Sequence, residues 1–223
     1  MASYGMFMDN PQGVVIINER FRNLGLTARG YLSNPGGAYP KVQIVVPGDY
    51  PLLFTRATTG AVSIFRIERI AATTWRFTVS MRNDCTGFDY YVFDKKASGN
   101  QRYGVRVWNA SEAEPIYDSG NNYLRLRDFV NIPKNQGAAP AIAIPTGTYA
   151  ALLADLGKFI IWTRQFPDDP ETAYYSYQFG IRLSPSLIQV ATIAVEDPPQ
   201  QNNLSRTDYY LPTALMLADV SGI

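Results

Sequence analysis

The sequence predicts an all-β protein, built either as two related β-sandwich-like modules or as one large sandwich, followed by a C-terminal arm. The first observation is that short runs of β-branched and aromatic residues recur along the chain, which is typical of strands. The second is that Gly and Pro interrupt these runs roughly every 10 to 15 residues, as turns between strands do. The third is the composition: 46% of the 223 residues are apolar and only 17% are charged. Such a chain fills sizeable cores and is not disordered.

The predicted strands follow one another along the chain. They lie at 14–17, 41–46, 61–70, 73–81, 103–109, 158–166 and 175–183. In the strand at 73–81, apolar side chains from Trp75 to Met81 alternate with polar ones, which is the period-2 pattern of a half-buried antiparallel strand. Only residues 148–157 could form a helix, of two turns ending at Gly157.

A repeat with a spacing of 99 residues divides the chain. The matching positions are Tyr4 and Tyr103, Gly5 and Gly104, Asn10 and Asn109, Gly48 and Gly147, and Tyr50 and Tyr149. A spacing of 102 aligns the strand at 73–81 with the one at 175–183. We therefore predict β modules at 1–99 and 100–198 and an arm at 199–223. The alternative is one large sandwich in which turn sequences recur.

The composition excludes several classes of function. The chain has no histidine and a single cysteine, Cys85, which excludes Ser/His/Asp and Cys/His catalysis, imidazole-bound zinc and an internal disulfide. With 20 basic and 19 acidic residues, no excess of positive charge is available for nucleic acid. The acidic residues show no distinctive spacing for carboxylate catalysis. We expect no enzyme activity, no cofactor, no metal site and no insertion into a membrane.

Two acidic loops are weak candidates for a ligand site. Asp84 and Asp89 lie around Cys85 and could offer oxygen ligands to calcium, but a calcium site needs about six oxygens. Asp84 would also oppose a thiolate at Cys85, so a reactive thiol is not expected. Asp168 and Asp169 lie between prolines, where we expect a solvated turn.

Adjacent tyrosines predict exposed aromatic rings. Neighbouring residues in a strand face opposite sides, so one ring of each pair should lie outside the core. The candidate ligand-facing aromatics are Tyr90, Tyr91, Tyr174 and Tyr175. Exposed tyrosines suit sugar stacking, and they suit protein interfaces at least as well.

The C-terminal segment is the candidate interface. A polar stretch at 196–208, rich in Pro, Gln and Asn, is followed by an apolar run that is too hydrophobic to remain exposed to water. The candidate interface residues are Tyr209, Tyr210, Leu211, Leu215, Met216 and Leu217. We expect this arm to dock on a neighbouring copy or on another protein of an assembly, with its own domain as the alternative.

The segment at 103–130, YGVRVWNASEAEPIYDSGNNYLRLRDFV, resembles a pattern of tailed-bacteriophage virion proteins from the tail-tip and tail-fibre region. That pattern has Tyr or Phe before Gly, alternating apolar residues, Asn, a short turn, an Asp-Ser pair and an apolar strand. Residues 4–32 resemble its N-terminal form, but Asn18 and Glu19 replace the Asp-Ser pair. This difference favours a turn-forming role for Asp118 and Ser119 over a ligand site.

The resemblance implies a non-enzymatic structural component of a phage tail tip or baseplate. Such a protein would assemble in the host cytoplasm into symmetric copies, a trimer or another ring, and join the tail to fibres or spike in the virion. The alternative is a carbohydrate- or receptor-binding module on the same particle, which would use exposed Tyr and Trp rings and bind a host surface glycan.

Overall fold

The computed structural model describes eleven stretches of the chain. They are residues 7–9, 15–18, 23–95, 105–108, 115–132, 141–153, 158–164, 172–175, 177–194, 204–210 and 213–223. Within them every regular element is a strand, which confirms the all-β prediction. No helix in these stretches is long and apolar enough to cross a membrane.

The strands are numbered in chain order. The first eight are β1 (Phe7–Asp9), β2 (Val15–Asn18), β3 (Leu24–Ser33), β4 (Lys41–Pro47), β5 (Leu52–Arg56), β6 (Val62–Ala71), β7 (Thr74–Met81) and β8 (Gly87–Lys95). The next six are β9 (Arg106–Trp108), β10 (Pro115–Asp118), β11 (Arg125–Ile132), β12 (Ala141–Ala143), β13 (Tyr149–Leu153) and β14 (Lys158–Arg164). The last five are β15 (Thr172–Tyr175), β16 (Tyr177–Ser184), β17 (Leu187–Ala194), β18 (Leu204–Tyr210) and β19 (Thr213–Asp219). All seven strands predicted from the sequence are present, with shifted ends.

Two six-stranded antiparallel sheets pack together as a sandwich. The first sheet has the order β11-β19-β13-β5-β8-β3, and the second has the order β12-β17-β16-β6-β7-β4. A third, three-stranded sheet has the order β15-β14-β18, while β1–β2 and β9–β10 are separate hairpins.

The strand order repeats in the two halves of the chain. From the middle of each sheet outward, the first half supplies β5-β8-β3 and β6-β7-β4, and the second half supplies β13-β19-β11 and β16-β17-β12. Each half begins with a hairpin, and the hairpins start at Phe7 and Arg106, 99 residues apart. This order supports the predicted repeat. The second half differs by its additional strands β14, β15 and β18.

The two halves share both sheets. β5 pairs with β13, where Thr55 lies opposite Ala151, and β6 pairs with β16, where Val62 lies opposite Ile181. The buried Thr55 hydroxyl also donates a hydrogen bond to the Ala151 carbonyl, at 3.4 Å. The expected module boundary near residue 99 lies outside the described residues. Both large sheets extend across this expected boundary, because each contains strands from both halves of the chain.

The spacing of 102 residues in the sequence pairs two strands that do not occupy equivalent positions in the fold. It matched β7 with β16, whereas the strand order makes β7 the counterpart of β17. Both β7 and β16 alternate apolar and polar residues because both line the same side of the second sheet. The alternation therefore reports a common environment and does not identify the equivalent strand.

Two hydrophobic cores fill the sandwich. The main residues of the first core are Leu26, Ile44, Val46, Leu53, Phe54, Phe77, Val79, Met81, Phe88, Val92 and Phe93. The main residues of the second core are Ile132, Ile144, Tyr149, Phe179, Ile181, Leu183, Ile188, Val190, Leu215 and Leu217.

Strands β13 and β19 contribute to both cores. Along β13, Ala151 lies in the second core and the next residue, Leu152, lies in the first. Along β19, Leu217 lies in the second core and Ala218 lies in the first. Since successive side chains of a strand point to opposite faces, both strands are buried on both faces.

The first sheet curls so that its two edges approach each other. The beginning of β3 forms an isolated antiparallel bridge, Gly25 to Tyr123, with the residues that lead into β11. The Leu26 N–H donates to the Asn122 carbonyl at 2.6 Å, and the Leu124 N–H donates to the Leu24 carbonyl at 2.8 Å. This curl explains how one sheet can bury both of its faces at β13 and β19.

Two local expectations from the sequence are corrected by the structure. Residues 148–157 do not contain the suggested helix in their described part, because Tyr149–Leu153 is the strand β13. The outer face of β7 is also more buried than a half-buried strand would be, since Thr78 and Ser80 are 9% and 1% exposed. The alternation of apolar and polar residues identified β7 as a strand, but it did not show that both faces of β7 are buried.

The C-terminal segment differs from the expected arm. In its described part, β18 pairs with β14 in the third sheet, and β19 lies between β11 and β13 in the first sheet. The apolar run therefore packs within its own chain.

Truncation of a core residue of β19 should destabilise the protein far more than truncation of an exposed one. Leu217 is fully buried, whereas Leu126 on the adjacent strand β11 is 42% exposed. We expect Leu217→Ala to lower the free energy of unfolding by about 2–5 kcal/mol because it leaves a cavity. Leu126→Ala should cost less than about 1 kcal/mol. Urea unfolding followed by tryptophan fluorescence measures both, and equal losses would contradict this assignment of β19.

Candidate functional site

The β6–β7 hairpin projects beyond its counterpart in the second half. From the junction pair Val62–Ile181, β6 continues for nine residues to Ala71, whereas β16 continues for only three, to Ser184. Most side chains of this extension are exposed. The extension thus provides surface that its counterpart, the β16–β17 hairpin, does not have.

One face of this extension carries a group of side chains that we call the aromatic ledge, consisting of Tyr50, Ile67, Arg69 and Trp75. Ile67 and Arg69 share a face with Trp75 because they lie opposite Phe77 and Trp75 in the β6–β7 ladder. The Tyr50 ring lies 6.5 Å from the Trp75 ring, at an interplanar angle of 47°. Tyr50 is 70% exposed and Ile67 is 52% exposed, so the ledge faces solvent.

A buried carboxylate fixes the turn that carries Tyr50. Asp94, on β8, is 1% exposed. Its side chain accepts hydrogen bonds from the backbone N–H groups of Asp49 at 2.7 Å, Tyr50 at 3.3 Å and Lys95 at 2.7 Å. Hydrogen bonds to a charged acceptor are stronger than neutral ones. Tyr50 is therefore an exposed ring on a firmly held backbone.

Gly48 brings the same turn close to Trp75. The Trp75 indole N–H donates to the Gly48 carbonyl at 3.1 Å. A Cβ at Gly48 would lie 2.2 Å from Asp94 Oδ2, so no other residue fits here without a shift. Both aromatic side chains of the ledge are thus tied to one turn.

Charged groups lie at the rim of the ledge. The Arg69 guanidinium is 5.7 Å from the centre of the Trp75 ring, within the range of a cation–π contact. Its Nε also donates to the Ala72 carbonyl at 2.9 Å. Next to Tyr50, Asp49 and Lys95 form an ion pair of 3.8 Å with about half of each side chain exposed. The ledge therefore combines apolar rings with hydrogen-bonding groups of both charges.

The matching Gly-x-Tyr sequence of the second half has a different role. Tyr149 is only 7% exposed and belongs to the second core, with its ring folded over Gly147. The difference arises because Tyr149 is already the first residue of β13, whereas Tyr50 lies in the turn before β5. The sequence spacing of 99 does not distinguish these positions.

Tyr90 and Tyr91, two of the four tyrosines predicted to face a ligand, pack against the first core. Tyr90 is half-buried over Gly30, and Tyr91 is 9% exposed. Burial, together with the negative charge of Asp89, raises the pKa of the Tyr91 phenol. The adjacent rings do face opposite sides of β8, but neither is strongly exposed, because the first sheet is covered on both sides here.

Tyr174 and Tyr175 lie in β15, where they pair with Ile161 and Ile160 of β14. Their side chains lie outside what the structure describes, so their suggested ligand-facing role stays a prediction.

The predicted interface residues of the C-terminal segment are divided. Leu215 and Leu217 are fully buried in the second core, and Met216 packs against the first core. Leu215 and Leu217 are thus not free to contact another subunit, whereas Met216 is only partly buried. The backbones of Tyr209 and Tyr210 lie in β18, whereas their side chains and Leu211 lie outside the described residues.

The Asp-Ser pair forms a turn, as the sequence favoured. The Asp118 carboxylate accepts the Gly120 N–H at 2.9 Å and pairs with Arg106 Nε at 2.9 Å. The Ser119 hydroxyl accepts the Val105 N–H at 2.8 Å, which ties the turn to the strand beside it. The pair thus closes the β9–β10 hairpin.

The acidic residues of the loop around Cys85 form ion pairs with arginines. Asp84 pairs with Arg82 at 3.0 Å, and Asp89 pairs with Arg56 at 3.2 Å. Burial, together with the charge of Asp84, raises the pKa of the Cys85 thiol, so the group is held in its neutral, weakly nucleophilic form.

No group of three or more His, Cys, Asp or Glu side chains in the described stretches is arranged to hold a metal ion. Asp168, Asp169 and Glu171 lie outside those stretches.

A groove of about 460 Å³ lies on the second sheet, with Arg82, Asp84, Arg182 and Gln189 among its lining residues. Arg82 is paired with Asp84, and Arg182 Nε donates to the Thr58 carbonyl at 3.0 Å. The groove is a weaker candidate than the ledge because none of its lining residues is aromatic.

Searches against protein family models, curated proteins and solved structures returned no match for this chain. The functional argument therefore depends on the chain's own surfaces. The sequence singled out Tyr50 as part of the repeat and Trp75 as a core residue, but nothing in it indicated that the two rings meet.

Replacing the buried carboxylate should loosen the ledge. We expect Asp94→Asn to lower the free energy of unfolding by about 1–3 kcal/mol, because it weakens the two hydrogen bonds that the turn donates, from Asp49 and Tyr50, and the one from Lys95. Tryptophan emission should change as well. The control Asp84→Asn removes an exposed ion pair and should cost less than about 1 kcal/mol. If the two variants unfold at the same urea concentration, Asp94 does not hold the turn.

Proposed function

We propose that this protein is a non-enzymatic structural component of a bacteriophage tail tip or baseplate, present in symmetric copies that connect the tail to fibres or spike. The resemblance of residues 4–32 and 103–130 to tail-region virion proteins gives the context of this proposal. The observation that carries it is the exposed apolar surface of the edge strand β11.

Two large apolar side chains of β11 lie on the same exposed face. Leu126 and Phe129 are opposite Ala218 and Met216, which are two residues apart on β19 and therefore share a face. An irregularity in the register at Arg127 brings Leu126 and Phe129, three residues apart, onto this common face. Leu126 is 42% exposed and Phe129 is 61% exposed. A pair of this kind on an edge strand is a natural contact surface for a neighbouring protein.

The edge of β11 favours packing through side chains over extension of the sheet. The Phe129 N–H is already bonded to the Asp128 carboxylate at 2.8 Å, so this donor is not free to pair with an incoming strand. A partner would therefore cover the Leu126 and Phe129 side chains without forming a continuous ladder.

Charged residues surround the apolar pair. Burial alone would raise the pKa of Asp219, but hydrogen bonds from Ser221 and the nearby charges of Arg125 and Arg127 hold that pKa below its usual range. Asp219 is therefore a carboxylate at neutral pH and offsets the two arginines. An apolar centre with arginines at its rim is typical of protein interfaces.

A carbohydrate- or receptor-binding module on the same particle is the second candidate function. The exposure of Tyr50 on the aromatic ledge favours it, because an open ring presents an apolar face on which a sugar ring can stack.

The assembly role is tested by introducing a charge into the proposed interface. We expect the wild-type protein to sediment as an oligomer and Phe129→Asp to weaken self-association at least tenfold, because it places a charge in an apolar contact. The matched control is Tyr31→Asp, which changes a 58% exposed aromatic residue on β3, the edge strand at the other end of the same sheet. Sedimentation velocity over a range of concentrations measures both.

An unchanged oligomer in Phe129→Asp, or equal effects of the two variants, would overturn the assignment of the surface. The tail role itself is tested by mass spectrometry of purified particles from cells that express the chain. Its absence from intact particles would contradict that role whatever the oligomeric state.

A further inference from the structure

We infer that the aromatic ledge is a saccharide-binding site, in which a sugar ring lies on Tyr50 while Arg69, Asp49 and Lys95 contact its hydroxyl groups. The inference deepens the second candidate function and does not depend on the assembly role, because the ledge and β11 share no residue.

The position of Tyr50 suits stacking. The C–H groups on one face of a pyranose form an apolar surface, which packs on an open aromatic ring while the hydroxyl groups around the edge stay available. Tyr50 is 70% exposed, yet its backbone is held because the N–H groups of Asp49 and Tyr50 donate hydrogen bonds to the Asp94 carboxylate. A ring that is fixed before binding loses little conformational entropy when a ligand covers it.

The size of the ledge suits a small ligand such as a sugar. A fully buried aromatic side chain covers about 150–250 Å², so Tyr50, Ile67 and the partly exposed Trp75 together offer a few hundred Å² at most. Val45 is another exposed apolar residue, on the neighbouring strand β4. It does not enlarge the ledge, because it lies opposite Arg76 and points to the other face.

The polar groups at the rim suit hydroxyl groups. Nε and Nη2 of Arg69 donate to the Ala72 carbonyl, so the guanidinium is held over Trp75 while Nη1 has no partner among the described residues. Beside Tyr50, the Asp49 carboxylate is an acceptor and the Lys95 ammonium is a donor, 3.8 Å apart. Adjacent sugar hydroxyls both donate and accept, so such a pair can bind them together.

The described part of the second half provides no equivalent site. Tyr149 is buried in the second core, and β16 ends three residues past the junction. We therefore expect one saccharide per chain, located on the first half. In a symmetric assembly the sites would repeat with the copies, which raises avidity for a polymeric glycan.

The test begins with a printed panel of bacterial surface glycans, comprising O-antigen, capsular and teichoic acid structures, together with oligomers of maltose, cellobiose and chitobiose. We expect the wild-type protein to bind at least one of these. The strongest hit is then titrated against wild type and variants by calorimetry and by tryptophan fluorescence, to which Trp75 contributes.

Tyr50→Ala should weaken binding at least tenfold, and Tyr50→Trp should retain it, because an indole also presents an aromatic face. Tyr31→Ala is the matched control, since it removes an exposed tyrosine far from the ledge. Both alanine variants should unfold at the wild-type urea concentration, which excludes misfolding as the cause.

No binding to any glycan of the panel, or binding that Tyr50→Ala leaves intact, would overturn the inference. Phe129→Asp should bind the sugar like the wild type, so a failure of the assembly role is distinguished from a failure of this site.

Discussion

The fold depends on the burial of β13 and β19 on both of their faces. Ala151 and Leu217 lie in the second core, while their neighbours Leu152 and Ala218 lie in the first. Side-chain alternation along a strand makes this possible, and the curl of the first sheet, closed by the Gly25–Tyr123 bridge, provides the cover that a flat sheet lacks. The two halves of the chain consequently cannot be stabilised independently, although they repeat the same strand order.

This shared core leaves the outer parts of the halves free to differ. In the first half, the extension of β6–β7 carries the aromatic ledge, which Asp94 on β8 holds through the turn before β5. In the second half, the edge strand β11 exposes Leu126 and Phe129. The proposed functions follow this division, with a sugar site on one half and an assembly surface on the other. If both proposals hold, the shared sheets would connect the sugar site and the assembly surface within one chain.

The sequence predicted the strands well because alternation depends only on which side of a strand is covered. Trp75, Phe77, Val79 and Met81 do share one face. It could not predict the partner of each face: Leu215 and Leu217 were recognised as too apolar for water, but not as part of the chain's own core. The sequence could not predict the ledge, because the turn that carries Tyr50 is held by a hydrogen bond between Asp49 and Asp94, which are 45 residues apart in the chain. Nor could spacing alone separate the exposed Tyr50 from the buried Tyr149.

Ending the chain after residue 212 tests the shared core most directly. The truncation removes Leu217 from the second core and Ala218 and Val220 from the first, so both cores lose a central strand. The account predicts that the cooperative urea transition and the near-ultraviolet circular dichroism are lost for the whole chain, including the signal of Trp75 in the first half. A truncated protein that keeps the first-half transition of the full chain would show that the halves fold independently, and would contradict the account.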